Sequence, residues 1–71
     1  MKIGTLLKNL RKGNYLTLRE VETATNISNA YLSQLENNKI KSPSIWTVYT
    51  LSNLYGINLN DFMALAEFEK L

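Results

Sequence analysis

Five residues between positions 29 and 37 combine short side chains with the spacing of one helix face. Successive residues of an α-helix lie about 100° apart, which places these five within a sector of roughly 140°. They are Asn29, Ala30, Ser33, Gln34 and Asn37. The sector offers amides, a hydroxyl and a methyl but no Lys or Glu, and such groups suit hydrogen bonds and methyl contacts with the edges of nucleic-acid bases. The alternative is that these side chains simply face water.

Residues that begin and end helices divide the chain into five predicted helices. The apolar residues of the first helix recur at spacings of three and four, and Gly13 and Asn14 follow as a stop signal. Glu20 can complete a capping box at the start of the second helix, and Asn26 tolerates the left-handed backbone of a tight turn before the third. Four polar residues stand at the expected N-caps of the second to fifth helices: Thr17, Ser28, Ser44 and Asn58.

The remaining pattern predicts an all-α domain. A basic loop over residues 39–43 ends in a proline, the fourth helix ends at Gly56, and an unusually apolar fifth helix extends over about residues 59–70. No segment alternates apolar and polar residues as a half-buried strand does. We therefore expect one compact five-helix domain over residues 1–71.

Composition argues against several classes of protein. The 71 residues include no Cys and no His, so disulfides, thiolate metal sites and the usual general base are missing. No apolar run approaches the roughly 18 residues of a membrane span, and the N-terminus lacks the apolar region of a signal peptide. We expect an untargeted cytoplasmic protein that is not an enzyme and has no membrane association, metal or cofactor.

The charge is distributed unevenly along the chain. The net charge is only +2, but seven of the eight basic residues precede Pro43 and only three acids do so. A basic first half suits binding to a polyanion, and the acidic last helix suits a position facing away from it. Taken alone, the charge distribution favours the alternative of a scattered solvated surface.

The order and spacing of these signals resemble the phage repressor and Cro-like helix-turn-helix DNA-binding family, often called the XRE family. The resemblance lies in IGTLLKNLR of the first helix, the turn TNIS, YLSQLENNK with the following SPS, and LSNLYGINLNDF. It implies a lambda-repressor-like fold in which helices 2 and 3 form the helix-turn-helix. In such domains the second helix of the motif lies in the DNA major groove, and dimers bind half-sites roughly 34 Å apart.

The resemblance also implies a role for individual residues. Asn29, Ala30, Ser33 and Gln34 become the candidate base-reading residues, with Asn and Gln suited to adenine and the Ala methyl to the thymine methyl. Contacts with the DNA backbone are expected at the starts of the second and third helices and in the loop after the third: Thr17, Arg19, Ser28, Asn37, Lys39, Lys41 and Ser42. For each of these, an ordinary solvated residue is the alternative.

Arg11 and Glu36 stand where the family typically places an ion pair that ties the first helix to the third. Three positions depart from the family pattern. Glu22 replaces a small residue, so its carboxylate must bend outward or find a partner. Asn26 replaces the common turn glycine, and Leu18 replaces a polar residue that contacts phosphate in many relatives.

The apolar last helix is the expected source of self-association, through some of these residues: Phe62, Met63, Leu65, Phe68 and Leu71. The alternative is that most of them close the core. Trp46 and Tyr49 on the fourth helix are expected in the core or in a dimer interface rather than stacked on bases.

Together these expectations describe a sequence-specific transcriptional regulator of double-stranded DNA. It is expected to be a repressor that binds a near-palindromic operator as a homodimer and needs no small-molecule cofactor. The alternative is a protein-interaction module, such as an antitoxin-like or adaptor protein.

Overall fold

The fold consists of five short α-helices. The structure is a computed structural model that describes residues 1–66, with helices α1 (Ile3–Gly13), α2 (Leu18–Thr25), α3 (Asn29–Glu36), α4 (Ile45–Leu54) and α5 (Leu59–Leu65). The predicted all-α fold class is confirmed, and α2 and α3 are the two helices of the motif. Within residues 1–66, no helix has the length and apolar content that crossing a membrane requires.

The predicted N-caps begin four of the helices. In each, the side chain of the cap accepts a hydrogen bond from the backbone N–H three residues later, at 2.8–3.1 Å. The caps are Thr17, Ser28, Ser44 and Asn58. At α2 the Glu20 carboxylate also accepts the Thr17 N–H at 3.0 Å, and the hydrogen bonds from Thr17 lower the pKa of Glu20. Short polar side chains therefore fix where the helices of the motif begin.

A left-handed residue follows each of the first four helices. Asn26 has φ 62° at the end of α2, as predicted for the turn. The first helix ends at Gly13 with Asn14 as its C-cap, where the sequence places the stop signal, and the left-handed residue that follows is Tyr15, with φ 59°. The side-chain amide of Asn14 donates to the carbonyls of Leu10 at 2.8 Å and Tyr55 at 3.2 Å. The contact with Tyr55 is a tertiary contact, which local sequence signals do not report.

The core lies between all five helices. Its buried apolar side chains come from α1, α2, α3, α4, the residue after α4, and α5: Ile3, Leu6, Leu7, Val21, Leu32, Leu35, Val48, Leu51, Tyr55 and Phe62. Phe62 is fully buried, so this candidate for self-association is a core residue instead. Leu18 packs partly buried against the same core, which accounts for an apolar residue at this position.

The last helix is shorter than the sequence predicts. α5 ends at Leu65, and Ala66 has an extended backbone at φ −84° and ψ 145°. The rest of the predicted helix range, residues 67–70, lies outside the described residues. Met63 and Leu65 are exposed on α5 and keep their place as candidates for self-association. Phe68 and Leu71 lie outside the described residues.

The aromatic side chains of α4 are not in the core. Trp46 is 72% exposed and Tyr49 is 45% exposed, and their rings stack with centroids 6.3 Å apart. Their neighbour Ile45 is also exposed. The prediction that these aromatics lie in the core is wrong, because α4 buries Val48 and Leu51 and leaves its opposite side exposed to solvent. Placement in a dimer interface stays a prediction.

Candidate nucleic-acid interface

α3 separates an inner apolar side from an outer polar side. Leu32 and Leu35 are buried, whereas Ala30 and Gln34 are exposed and Asn29 and Ser33 are partly exposed. Among the residues that the structure describes, the side chains of Asn29, Ser33 and Gln34 make no hydrogen bond. The four candidate base-reading residues thus form one outer face, called here the reading face, whose polar groups remain available to a partner.

Asn37 lies at the C-terminal end of the same side but is already engaged. Its side-chain amide donates to the Ser33 carbonyl at 2.9 Å, and the same carbonyl also accepts the Asn37 backbone N–H at 3.1 Å. The side-chain oxygen of Asn37 can still accept a hydrogen bond, which suits a supporting contact at the edge of the reading face.

An ion pair ties the C-terminal end of α3 to α1. The Arg11 Nε donates to Glu36 Oε2 at 2.7 Å, and Nη2 donates to Oε1 at 3.0 Å. A third donor of the guanidinium, Nη1, reaches the Leu16 carbonyl at 2.8 Å. The two side chains are only 12% and 6% exposed, and the bond to Glu36 raises the pKa of Arg11 above its ordinary value. This bidentate geometry fixes α3 against α1 and removes Glu36 from the reading face.

Tyr55 packs beside the ion pair. Its hydroxyl is buried and has no hydrogen-bond partner within residues 1–66. Burial raises the pKa of Tyr55 to about 12, with a further rise from the Glu36 charge and an opposing effect of Arg11.

A second contact between α1 and α3 was not predicted from the sequence. Asn38, at φ 60° just after α3, accepts the Gly4 N–H through Oδ1 at 3.1 Å and donates to Thr5 Oγ1 at 3.1 Å. The N-cap of α1 makes no side-chain hydrogen bond of its own, so Asn38 supplies the missing acceptor from another element. A Cβ on residue 4 would overlap the Leu35 carbonyl oxygen and lie 2.6 Å from Asn38 Oδ1. Only glycine permits this approach.

The N-terminal end of α3 is held to α2. Glu22 Oε2 accepts the backbone N–H of Asn29 at 3.0 Å, so the carboxylate finds a partner in the first turn of α3. Between the helices, Thr25 Oγ1 donates to the Val21 carbonyl at 2.8 Å and accepts the Ile27 N–H at 3.2 Å. Side-chain hydrogen bonds thus span the turn of the motif.

The candidate backbone-contacting residues are all exposed. They lie at the N-terminus of α2, at the N-terminus of α3 and between α3 and α4: Thr17, Arg19, Ser28, Asn37, Lys39, Lys41 and Ser42. In the described part of the chain, none of the three cations among them pairs with a carboxylate. Ser28 caps the N-terminal end of α3, and the residues from Asn37 to Ser42 follow its C-terminal end, where a duplex lying along that helix places phosphates. Thr17 and Arg19 lie at the start of α2.

Sequence comparison agrees with this architecture. Residues 4–67 match the model of a family described as the helix-turn-helix domain. The chain belongs to this helix-turn-helix domain family. As an XRE-like helix-turn-helix DNA-binding domain, it presents α3 as its recognition helix, with α2 as the preceding helix of the motif.

A curated relative gives a similar result. This helix-turn-helix domain is 37% identical over 68 residues to an HTH-type transcriptional regulator, DdrOP3 of Deinococcus deserti. The match covers 96% of this chain but 52% of the relative, so the chain spans about half the length of that protein.

Proposed function

We propose that this protein is a sequence-specific transcriptional regulator of double-stranded DNA, and that it acts as a repressor. The observation that carries the proposal is the reading face of α3, where free amide and hydroxyl groups stand on a helix held at both ends. Regulation of this kind requires no chemistry, because a bound protein that covers a promoter element is sufficient. The similarity to the transcriptional regulator of Deinococcus deserti supports a role in transcriptional regulation.

Base recognition is assigned to the reading face. The amides of Asn29 and Gln34 offer both a donor and an acceptor, which matches the N6 and N7 edge of adenine, and Ser33 serves either kind of partner. Ala30 offers a methyl to thymine. Because Glu36 is engaged by Arg11, no carboxylate of α3 itself repels the phosphates on either side of the groove.

Affinity is assigned to the exposed residues around the reading face. Arg19, Lys39 and Lys41 supply positive charge, and the nearby hydroxyl and amide groups supply hydrogen bonds to phosphate oxygens. Such contacts release counterions and make binding fall steeply with salt. They hold α3 in register but do not read sequence.

Two copies are proposed to bind a near-palindromic operator as a homodimer. One small recognition helix reads only a few base pairs, and a two-fold dimer doubles the site with half-sites about one helical turn apart. Several exposed apolar side chains could form such a dimer contact: Ile45, Trp46, Tyr49, Met63 and Leu65. Sedimentation that shows no self-association even with the operator present would contradict the dimer.

The test of the function is selection from random genomic fragments followed by sequencing of the retained DNA. We expect enrichment of one near-palindromic sequence. On that sequence, Gln34→Ala should weaken binding by about 1 to 3 kcal/mol and relax discrimination at one base pair. Lys39→Ala should instead weaken all sequences alike and reduce the salt slope by about one. Identical behaviour of the two variants would contradict the division between reading and backbone contacts.

A second candidate function is a protein-interaction module of the antitoxin or adaptor kind. The stacked and exposed Trp46 and Tyr49 favour it, because aromatic side chains are enriched at protein interfaces. Failure to enrich any DNA sequence at low salt would favour this module over the regulator.

A further inference from the structure

A carboxylate of α2 occupies the N-terminus of the recognition helix. Asn29 is the first residue of α3, and its backbone N–H is one of those that a helix leaves without an intrahelical partner. Glu22 Oε2 accepts this N–H at 3.0 Å, and Ser28 Oγ accepts that of Tyr31 at 3.1 Å. Two of the first three N–H groups of α3 are therefore satisfied inside the protein.

We propose that Glu22 is a specificity-determining residue, an inference that rests on the proposed DNA-binding function. Its hydrogen bond fixes the first turn of α3 for base reading. Its negative charge keeps the phosphates of non-operator DNA away from that same turn.

Glu22 positions the first turn of α3. Asn29 and Ala30 belong to the turn that Glu22 holds, and both lie on the reading face. A hydrogen bond to a base edge depends on donor and acceptor placement within a few tenths of an ångström. Residues 26–28 alone connect α2 to α3, and the bond from Glu22 to Asn29 closes a ring across this connection. The ring prevents the first turn of α3 from pivoting on Asn26.

The negative charge of Glu22 lies where a helix would otherwise attract phosphate. A helix N-terminus attracts anions because its free N–H groups and the helix dipole both favour negative charge. Binding to random DNA consists almost entirely of phosphate contacts, whereas binding to an operator adds base contacts. With the Glu22 carboxylate in place, the N-terminus of α3 offers phosphate a poorer site, so random DNA loses more affinity than the operator does. Arg19, Lys39 and Lys41 remain exposed for phosphates elsewhere on the surface.

Two substitutions separate the hydrogen bond from the charge. Glu22→Gln keeps an oxygen that accepts the Asn29 N–H and removes the charge, whereas Glu22→Ala removes both. Asp61→Asn is the matched control, since it removes one exposed negative charge from α5. Circular dichroism establishes that each variant is folded. Affinities of the full chain are then measured for the enriched genomic sequence and for a random duplex of equal length.

We expect the ratio of operator to random affinity to fall from wild type to Glu22→Gln to Glu22→Ala. Glu22→Gln should bind random DNA about two- to fivefold more tightly, the size of one surface charge interaction, with a smaller change on the operator. Glu22→Ala should also lose operator affinity, so that its ratio falls about tenfold, as when one base contact is lost. Asp61→Asn should leave the ratio unchanged.

Equal ratios in all four proteins would overturn the proposal, as would an effect of Asp61→Asn as large as that of Glu22→Gln. Hydrogen exchange of the Asn29 amide tests the hydrogen bond without DNA: it should be slow in wild type and Glu22→Gln and fast in Glu22→Ala. Equally fast exchange in all three would refute the positioning role. A wild-type protein that enriches no sequence would refute the proposed function and the specificity role, whereas enrichment with unchanged ratios would refute the specificity role alone.

Discussion

Gly4 is the position at which a single methyl group should disturb the recognition helix most. A Cβ added there overlaps the Leu35 carbonyl oxygen, which is backbone of α3, and lies 2.6 Å from Asn38 Oδ1, where ordinary contact begins at 3.4 Å. The Asn38 side chain can turn away only by giving up its bonds to Gly4 and Thr5. The Leu35 carbonyl can move only with the helix. Gly4→Ala therefore separates α1 from the C-terminal end of α3.

The size of the effect follows from three contributions. Overpacking of this kind costs about 2 kcal/mol, and losing two hydrogen bonds of about 1 kcal/mol each adds about 2 more. Replacing glycine by alanine in a helix returns about 1 kcal/mol. The free energy of unfolding should thus fall by about 3 kcal/mol, which lowers the Tm of a domain of this size by about 12 to 24 °C.

Gly13→Ala is the matched control for this substitution. It introduces the same methyl group into the same helix, but nothing lies within 4 Å of the new Cβ. It should stabilise the protein by about 0.5 to 1 kcal/mol through helix propensity alone. Urea unfolding followed by circular dichroism measures both variants. A Gly4→Ala protein as stable as Gly13→Ala would refute the reasoning, because the close approach of α1 and α3 would then not constrain the fold.

Three further substitutions test the turn, the buried tyrosine and the ion pair, each by urea unfolding. Tyr15→Gly should stabilise the protein by about 1 kcal/mol, because the left-handed Tyr15 is 92% exposed and loses no packing; destabilisation would contradict this. Burial raises the pKa of Tyr55 to about 12 in the folded protein, against an ordinary value of 10. The contribution of Tyr55 to the free energy of unfolding should therefore be fully present below pH 10 and fall by up to about 3 kcal/mol towards pH 12. Tyr55→Phe should lack this loss, and parallel pH profiles of the two proteins would refute the prediction. Arg11→Met should cost about 3 to 5 kcal/mol by leaving the Glu36 charge buried and unpaired, and adding Glu36→Met should recover most of it; additive losses would contradict the coupling.

The helix boundaries of the motif were predictable because their signals are local. Thr17 and Glu20 contact each other across one turn, and Ser28 caps the helix that directly follows it. Asn26 adopts the left-handed conformation that its residue type tolerates. The division of α3 into an inner and an outer side follows in the same way from helical periodicity.

The features that the sequence did not predict depend on residues that are distant along the chain. Gly4 stands at the start of a helix, and only the approach of Leu35 and Asn38 explains why it has no side chain. The left-handed Tyr15 follows Asn14, whose side chain donates to the Tyr55 carbonyl, 41 residues further along the chain. The exposure of Trp46 follows from the rotation of α4 against the core, which its apolar residues alone do not determine, since they occur on more than one side.

The contacts of α3 explain how so small a domain presents a fixed reading face. α3 has eight residues, and an isolated helix of that length is unstable in water. Its C-terminal end is bound to α1 through the ion pair of Glu36 and the hydrogen bonds of Asn38, and its N-terminal end is bound to α2 through Glu22. α3 is therefore already ordered when the protein has folded, so DNA binding does not have to offset the entropy cost of ordering it. Substitutions in α1 that never touch DNA should for this reason alter recognition, because they change the angle at which α3 is presented.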